Sequence, residues 1–129
     1  GDNYLEKKIA DSLSFCGVTN LVGQTDLYEV SRIISDSKLY IGNDSGLSHL
    51  AFLSSVRSLV IFGCVDGKHR IPITDSQNIT TMTAGHLCEY FPCYDGYNLP
   101  KCQNTERYVC LTGVSPKEII LEAKKVMCQ

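Results

Sequence analysis

Asn43, Asp44, Ser45 and His49 crowd onto one short stretch, Ile41-Gly42-Asn43-Asp44-Ser45-Gly46-Leu47-Ser48-His49. Gly42 and Gly46 let a backbone turn tightly there, and Asp44 and Ser45 suit the position that precedes a helix. A helix starting at this point aims free backbone N–H groups and the positive end of its dipole at one spot. An anion, most often a phosphate, is what such a spot holds. A well-capped helix without a ligand is the alternative, but packing has no use for so many polar groups on one turn. The common nucleotide fingerprints, Gly-x-Gly-x-x-Gly and Gly-x-x-x-x-Gly-Lys-Ser/Thr, are absent.

A second set is Cys88-x4-Cys93-x8-Cys102-x7-Cys110, interleaved with Pro92, Gly96 and Pro100. A loop this long inside a domain needs something to tie it down, and four thiolates around a structural zinc would do so. The spacing departs from paired Cys-x-x-Cys knuckles, so two disulfides and four unlinked thiols remain alternatives. Cys16, Cys64 and Cys128 read as small apolar residues. Without a Cys-x-x-Cys pair there is little case for a cysteine-based redox enzyme. Lys68, His69 and Arg70 add positive charge after a strand and read as a solvated basic patch.

The elements that must position these groups follow from periodicity. Lys38-Leu39-Tyr40-Ile41 and Leu59-Val60-Ile61-Phe62 are apolar, strand-like runs on either side of the polar turn. Leu47, Leu50, Ala51 and Phe52 between them recur near helical spacing, which makes a β-α-β unit. Gly63-Cys64-Val65-Asp66-Gly67 is turn chemistry at the carboxyl end of the second strand, as Asn43–Gly46 is for the first. Ligands of open α/β sheets collect along that edge. Upstream, Leu5, Ile9 and Leu13 stripe a helix over residues 1–13, and Thr19–Val22 reads as a brief strand. Asp26 with Glu29 forms a capping box for a helix whose buried face is Leu27, Val30, Ile33 and Ile34. Ile79–Met82 is an edge strand, residues 85–111 an irregular loop. Ser115, Pro116 and Glu118 start a last helix buried through Ile119, Ile120, Ala123 and Val126.

At 129 residues the chain reads as a single domain, 1–129, with the Cys-rich loop 85–111 inside it. Its net charge of −2 offers no electrostatic case for nucleic acid or for an anionic membrane surface. No apolar run is long enough to span a bilayer. Seven cysteines without a signal sequence point to a reduced, cytosolic setting, in which the sequons at Asn43 and Asn78 are coincidental.

Val22-Gly23-Gln24-Thr25-Asp26-Leu27-Tyr28-Glu29, the Asn43-Asp44-Ser45-Gly46-Leu47-Ser48-His49-Leu50-Ala51 core and Ile61-Phe62-Gly63 together resemble family 9 glycosyltransferases. These are the bacterial ADP-heptose:lipopolysaccharide heptosyltransferases. Cys88…Pro92-Cys93…Cys102…Cys110 followed by Val114-Ser115-Pro116 is similar to the cysteine-bearing tail of many members. The resemblance implies a Rossmann-like parallel sheet flanked by helices. That would be the C-terminal, donor-binding half of a GT-B fold, truncated at its N-terminus and with an acceptor domain missing before it.

It also implies roles. Ser45, Gly46 and Leu47 would offer amides to the donor diphosphate. Asp44 would face the sugar or phosphate side of the donor, and His49 would lie a helical turn on, near the same group, both as donor-side assistants. Thr25 would lie near the adenine and Glu6 near the ribose. The resemblance makes the partners a nucleotide-diphosphate sugar and, through the missing domain, a glycan or lipopolysaccharide-core acceptor. The full-length protein would be cytoplasmic, peripheral at the inner membrane. Inverting transfer leaves a nucleoside diphosphate, so amide dipoles aimed at that charge are the fitting catalyst. No metal or other cofactor is demanded for catalysis, a structural zinc on the late cysteines aside. The chain alone is expected to bind donor weakly and not to catalyse. The alternative reading is a non-catalytic binding module stabilised by a four-cysteine metal site.

Overall fold

The structure, a computed structural model, describes residue 8, residues 17–73, 76–94 and 101–128. Apart from Lys8, which is helical, the expected N-terminal helix and Glu6 lie outside the described residues. The chain divides into two compact units, Gly1–Ile33 and Ile34–Gln129.

In the first unit Thr19–Val22 is not the expected strand but irregular chain that runs into a turn over Leu21–Gln24. The Asn20 side chain accepts from the Val22 N–H at 3.0 Å, and the Gln24 N–H closes on the Leu21 carbonyl at 3.1 Å. An Asx side chain that offers the backbone a partner two residues on competes with a ladder. Helix α1, Leu27–Ser35, starts on the expected capping box. The Glu29 N–H donates to Asp26 Oδ1 at 2.8 Å, and the Asp26 N–H to Glu29 Oε2 at 2.9 Å. Only Ile34 of its apolar face is buried, while Leu27 and Ile33 are exposed. Ser37 ends the helix by bonding the Ile34 carbonyl with both its N–H and its hydroxyl.

The second unit is built on three parallel strands, β1 Tyr40–Asn43, β2 Ser58–Ile61 and β3 Ile79–Met82, in the order β1-β2-β3. Tyr40 stands opposite Ser58, and Ser58 opposite Ile79. β2 lies between the other two, so its Ser58, Leu59 and Val60 are wholly buried, as the apolar run Leu59–Phe62 requires. Helix α2, Gly46–Leu53, connects β1 to β2. Its Phe52 joins Val60, Phe62 and Ile79 in the core, with Tyr40 and Ile71 packed against them. This is the expected α/β, Rossmann-like arrangement.

Between β3 and the last helix the described residues hold only a single turn at Gly85–Leu87 and the short helix α3, Val109–Thr112. Long-range backbone bonds tie this segment to the sheet. The Ala84 N–H donates to the Cys110 carbonyl at 2.9 Å, and the N–H groups of Cys93 and Tyr94 share the Cys64 carbonyl at 3.1 and 3.2 Å. Helix α4, Pro116–Cys128, lies against β2 and buries Ala123 and Val126, while Ile120 is exposed. Its start is closed reciprocally: the Ser115 N–H donates to Glu118 Oε2 at 2.8 Å and the Glu118 N–H to Ser115 Oγ at 3.3 Å.

Candidate functional site

β1 delivers Asn43 and Asp44 to the carboxyl edge of the sheet, and α2 begins two residues later. Ser45 holds the N-cap position in extended geometry (φ −150°, ψ 171°), yet its side chain makes no capping bond. The turn is braced from below instead. Ser48, 1% exposed, donates its hydroxyl to the Asn43 carbonyl and pairs with the Tyr40 hydroxyl at 3.2 Å. Gly42 makes that brace fit, because a Cβ there would run into the Tyr40 ring, 2.6 Å from Cζ. Gly46 has no such reason: a Cβ on it would meet nothing within 4 Å. Gly46 and Leu47 are exposed, and among the described residues no side chain accepts a hydrogen bond from their first-turn amides.

Beside this turn lies a cavity of about 310 Å³, lined by Asn43, Asp44, Ile61, Gly63, Cys64, Val65, Arg70, Tyr94 and Leu111. It sits at the carboxyl ends of β1 and β2, where the turn chemistry after each strand placed it. Arg70 Nε stands 3.7 Å from Asp44 Oδ2, and the guanidinium carbon lies 5.6 Å from the centre of the Tyr94 ring. A tight turn over Gly67–His69 fixes Arg70. Asp66 accepts from the Lys68 N–H at 3.0 Å, and the Arg70 N–H donates to the Gly67 carbonyl at 2.9 Å.

The expected site residues divide. Asp44 lines the cavity, and Ser45, Gly46 and Leu47 follow it into the helix without lining the cavity themselves. His49 is exposed, and its ring stands edge-on to Phe52 at 5.6 Å rather than on the cavity wall. Thr25, half-buried, belongs to the other unit. Of the basic patch, Lys68 and His69 are solvated as expected. Arg70 is the correction, a half-buried cation on the cavity. The repeated turn signal after β2 was the clue to it. Tyr94 carried no signal, because its segment meets this edge through long-range bonds to the Cys64 carbonyl.

Cys88, Cys93, Cys102 and Cys110 do gather. With Cys64 they line a second, more apolar cavity of about 370 Å³ next to the first, sharing Gly63, Cys64 and Leu111 with it. All five are free thiols, so the disulfide alternative is not realised. Among the described residues no three metal-ligating side chains are placed to hold an ion. Backbone bonds space the thiols around the cavity wall, as when the Tyr108 N–H donates to Cys102 Sγ at 3.3 Å. Burial, then the neighbouring thiols, pushes the Cys93 and Cys110 thiols above their ordinary range. Cys64, expected to be a plain packing residue, is part of this wall, and Cys128 is exposed.

The profile of glycosyltransferase family 9 (heptosyltransferase) matches residues 2–90, more than half of the chain and all of the β1-α2-β2 unit. The chain belongs to this family. Among similar proteins is lipooligosaccharide heptosyltransferase 2 of Haemophilus influenzae, 30% identical over 57% of this chain and 20% of its own length. The proteins of the same name from Campylobacter jejuni and Haemophilus ducreyi are 26% and 27% identical over 84% of the chain. Those matches cover 32% and 29% of the relatives, so the chain spans a third of their length or less. No solved structure matches it significantly. Among the described residues no helix is long and apolar enough to cross a membrane.

Proposed function

We propose that this family 9 chain carries the donor-binding half of an inverting glycosyltransferase, and that a nucleotide-diphosphate sugar of the ADP-heptose kind binds at the carboxyl edge of its sheet. The observation that carries this reading is the uncapped start of α2 beside the cavity walled by Asp44 and Arg70. As the sugar leaves, negative charge grows on the diphosphate. Amides already oriented by β1 and the Ser48 brace meet that charge without reorganising. A helix start contributes about 0.3–1 kcal/mol per interaction when exposed and up to about 2 when partly buried. Asp44 faces the sugar or the phosphate side, and no metal is needed in this scheme.

Acceptor binding and the catalytic base belong, in this reading, to the whole protein, so the chain alone binds donor and does not turn it over. The acceptor proposed is a glycan of the lipopolysaccharide core, as the names of the relatives suggest. A titration with ADP followed by amide NMR tests the donor site. The signals of Asp44 to Leu47 are expected to move. Were those amides to stay still at millimolar ADP while others shift, the site would lie elsewhere.

A further inference from the structure

Among the described residues Arg70 is the only cation lining the edge cavity, and neither packing nor the turn around it explains its placement. Its guanidinium is held on two sides, by the face of Tyr94 at 5.6 Å and by Asp44 at 3.7 Å. The second contact is an ion pair too long for a hydrogen bond, between side chains 38% and 24% exposed, so solvent weakens it. Among the described residues no hydrogen bond engages the terminal nitrogens of the guanidinium. A fork of donors thus stands on a cavity wall beside Asp44, two residues before α2, with only a loose anionic partner. Forks of this shape bind two oxygens of a phosphate at once.

We propose that Arg70 is the residue that takes the anionic oxygens of the donor's diphosphate, with Tyr94 as its platform and Asp44 as the partner the diphosphate displaces. This rests on the donor-site reading above and adds to it the side chain that selects for a diphosphate. Asp44 then has two opposed effects: it orients the guanidinium, and its own negative charge repels the incoming anion. Removing the charge at either end of the pair breaks the same contact but acts on an anion in opposite directions. A pair that merely stabilised the loop would give the same sign at both ends.

The test is calorimetric titration of the full chain with inorganic pyrophosphate and with ADP, for the wild type and for Arg70→Gln, Arg70→Lys and Asp44→Asn. Arg70→Gln is expected to weaken both ligands about tenfold or more, and Arg70→Lys, which keeps the charge but loses the fork, by less. Asp44→Asn is expected to tighten pyrophosphate several-fold. Thermal melts report whether each variant is folded. If Arg70→Gln does not fold, the opposite responses of Arg70→Lys and Asp44→Asn decide the matter. The assignment is overturned if pyrophosphate binds the wild type and Arg70→Gln alike, or if Asp44→Asn weakens pyrophosphate as the Arg70 variants do. A wild type that binds neither ligand, with the Asp44–Leu47 amides unmoved, overturns the donor site itself rather than the choice of Arg70.

Discussion

Helices α2 and α4 begin in opposite ways. At α4, Ser115 and Glu118 bond each other's backbone amides, and the Ser115 hydroxyl also reaches Glu118 Oε2 at 2.6 Å. At α2, Ser45 occupies the same structural position and its hydroxyl does no capping. A closed start consumes its own donors, whereas an open start keeps them for something else. The open one is held rigid from beneath, by Ser48, and lies at the carboxyl edge of the sheet. The closed one leads into a helix that covers β2. The contrast separates a helix start closed on itself from one left open, as the proposed donor site requires.

The largest effect should come from removing the brace. Ser48→Ala deletes two hydrogen bonds of a side chain only 1% exposed, those to the Asn43 carbonyl and to the hydroxyl of the half-buried Tyr40. A loss of about 1–3 kcal/mol in denaturant unfolding is expected. If α2 is held open by this brace, the ADP-induced shifts at Asp44 to Leu47 should fade too. Stability lost with the shifts intact would break that link.

Next in size is Ser115→Ala, expected to cost about 1 kcal/mol as caps of this type do, and to leave ADP binding alone. The same start has a pH signature. The side-chain and backbone bonds from Ser115 hold the Glu118 carboxyl below its usual range. Folding therefore favours the ionised form: the cap's contribution is complete above the ordinary carboxylate range and disappears as pH falls through the lowered folded value. Acid titration of wild type and Ser115→Ala should show their melting temperatures converging below that range. Parallel curves down to low pH would mean that the bonds to Ser115 do not set the Glu118 ionisation.

What the sequence made legible follows the range of the interaction involved. Both capping boxes, Asp26 with Glu29 and Ser115 with Glu118, act over three residues and could be read directly. So could the β1-α2-β2 unit, whose strands need only their apolar runs, although β1 starts at Tyr40 rather than Lys38. Thr19–Val22 failed because one side chain, Asn20, outcompeted a β-prone run. The Arg70–Asp44 and Arg70–Tyr94 contacts join segments distant along the chain, and nothing local encodes them. The place of Cys64 is non-local in the same way: its carbonyl meets the Cys93 and Tyr94 amides only once that segment returns to it. The four late cysteines line one cavity, and chain spacing does not by itself give that arrangement.

The smallest expected change in stability belongs to Gly46, and it cuts most finely between the two helix starts. Its position asks nothing special of the backbone, and a Cβ there meets nothing within 4 Å. Gly46→Ala should thus leave the fold unharmed, or stabilise it by up to about 1 kcal/mol through the unfolded chain. A ligand that approaches the amide closely would still feel the added methyl. ADP affinity is expected to fall several-fold while the melting temperature holds or rises, a combination that a helix cap without a ligand has no means to produce. Equal ADP affinity in the two proteins would mean that the diphosphate does not sit on this amide, and the open start of α2 would then need another explanation than the donor.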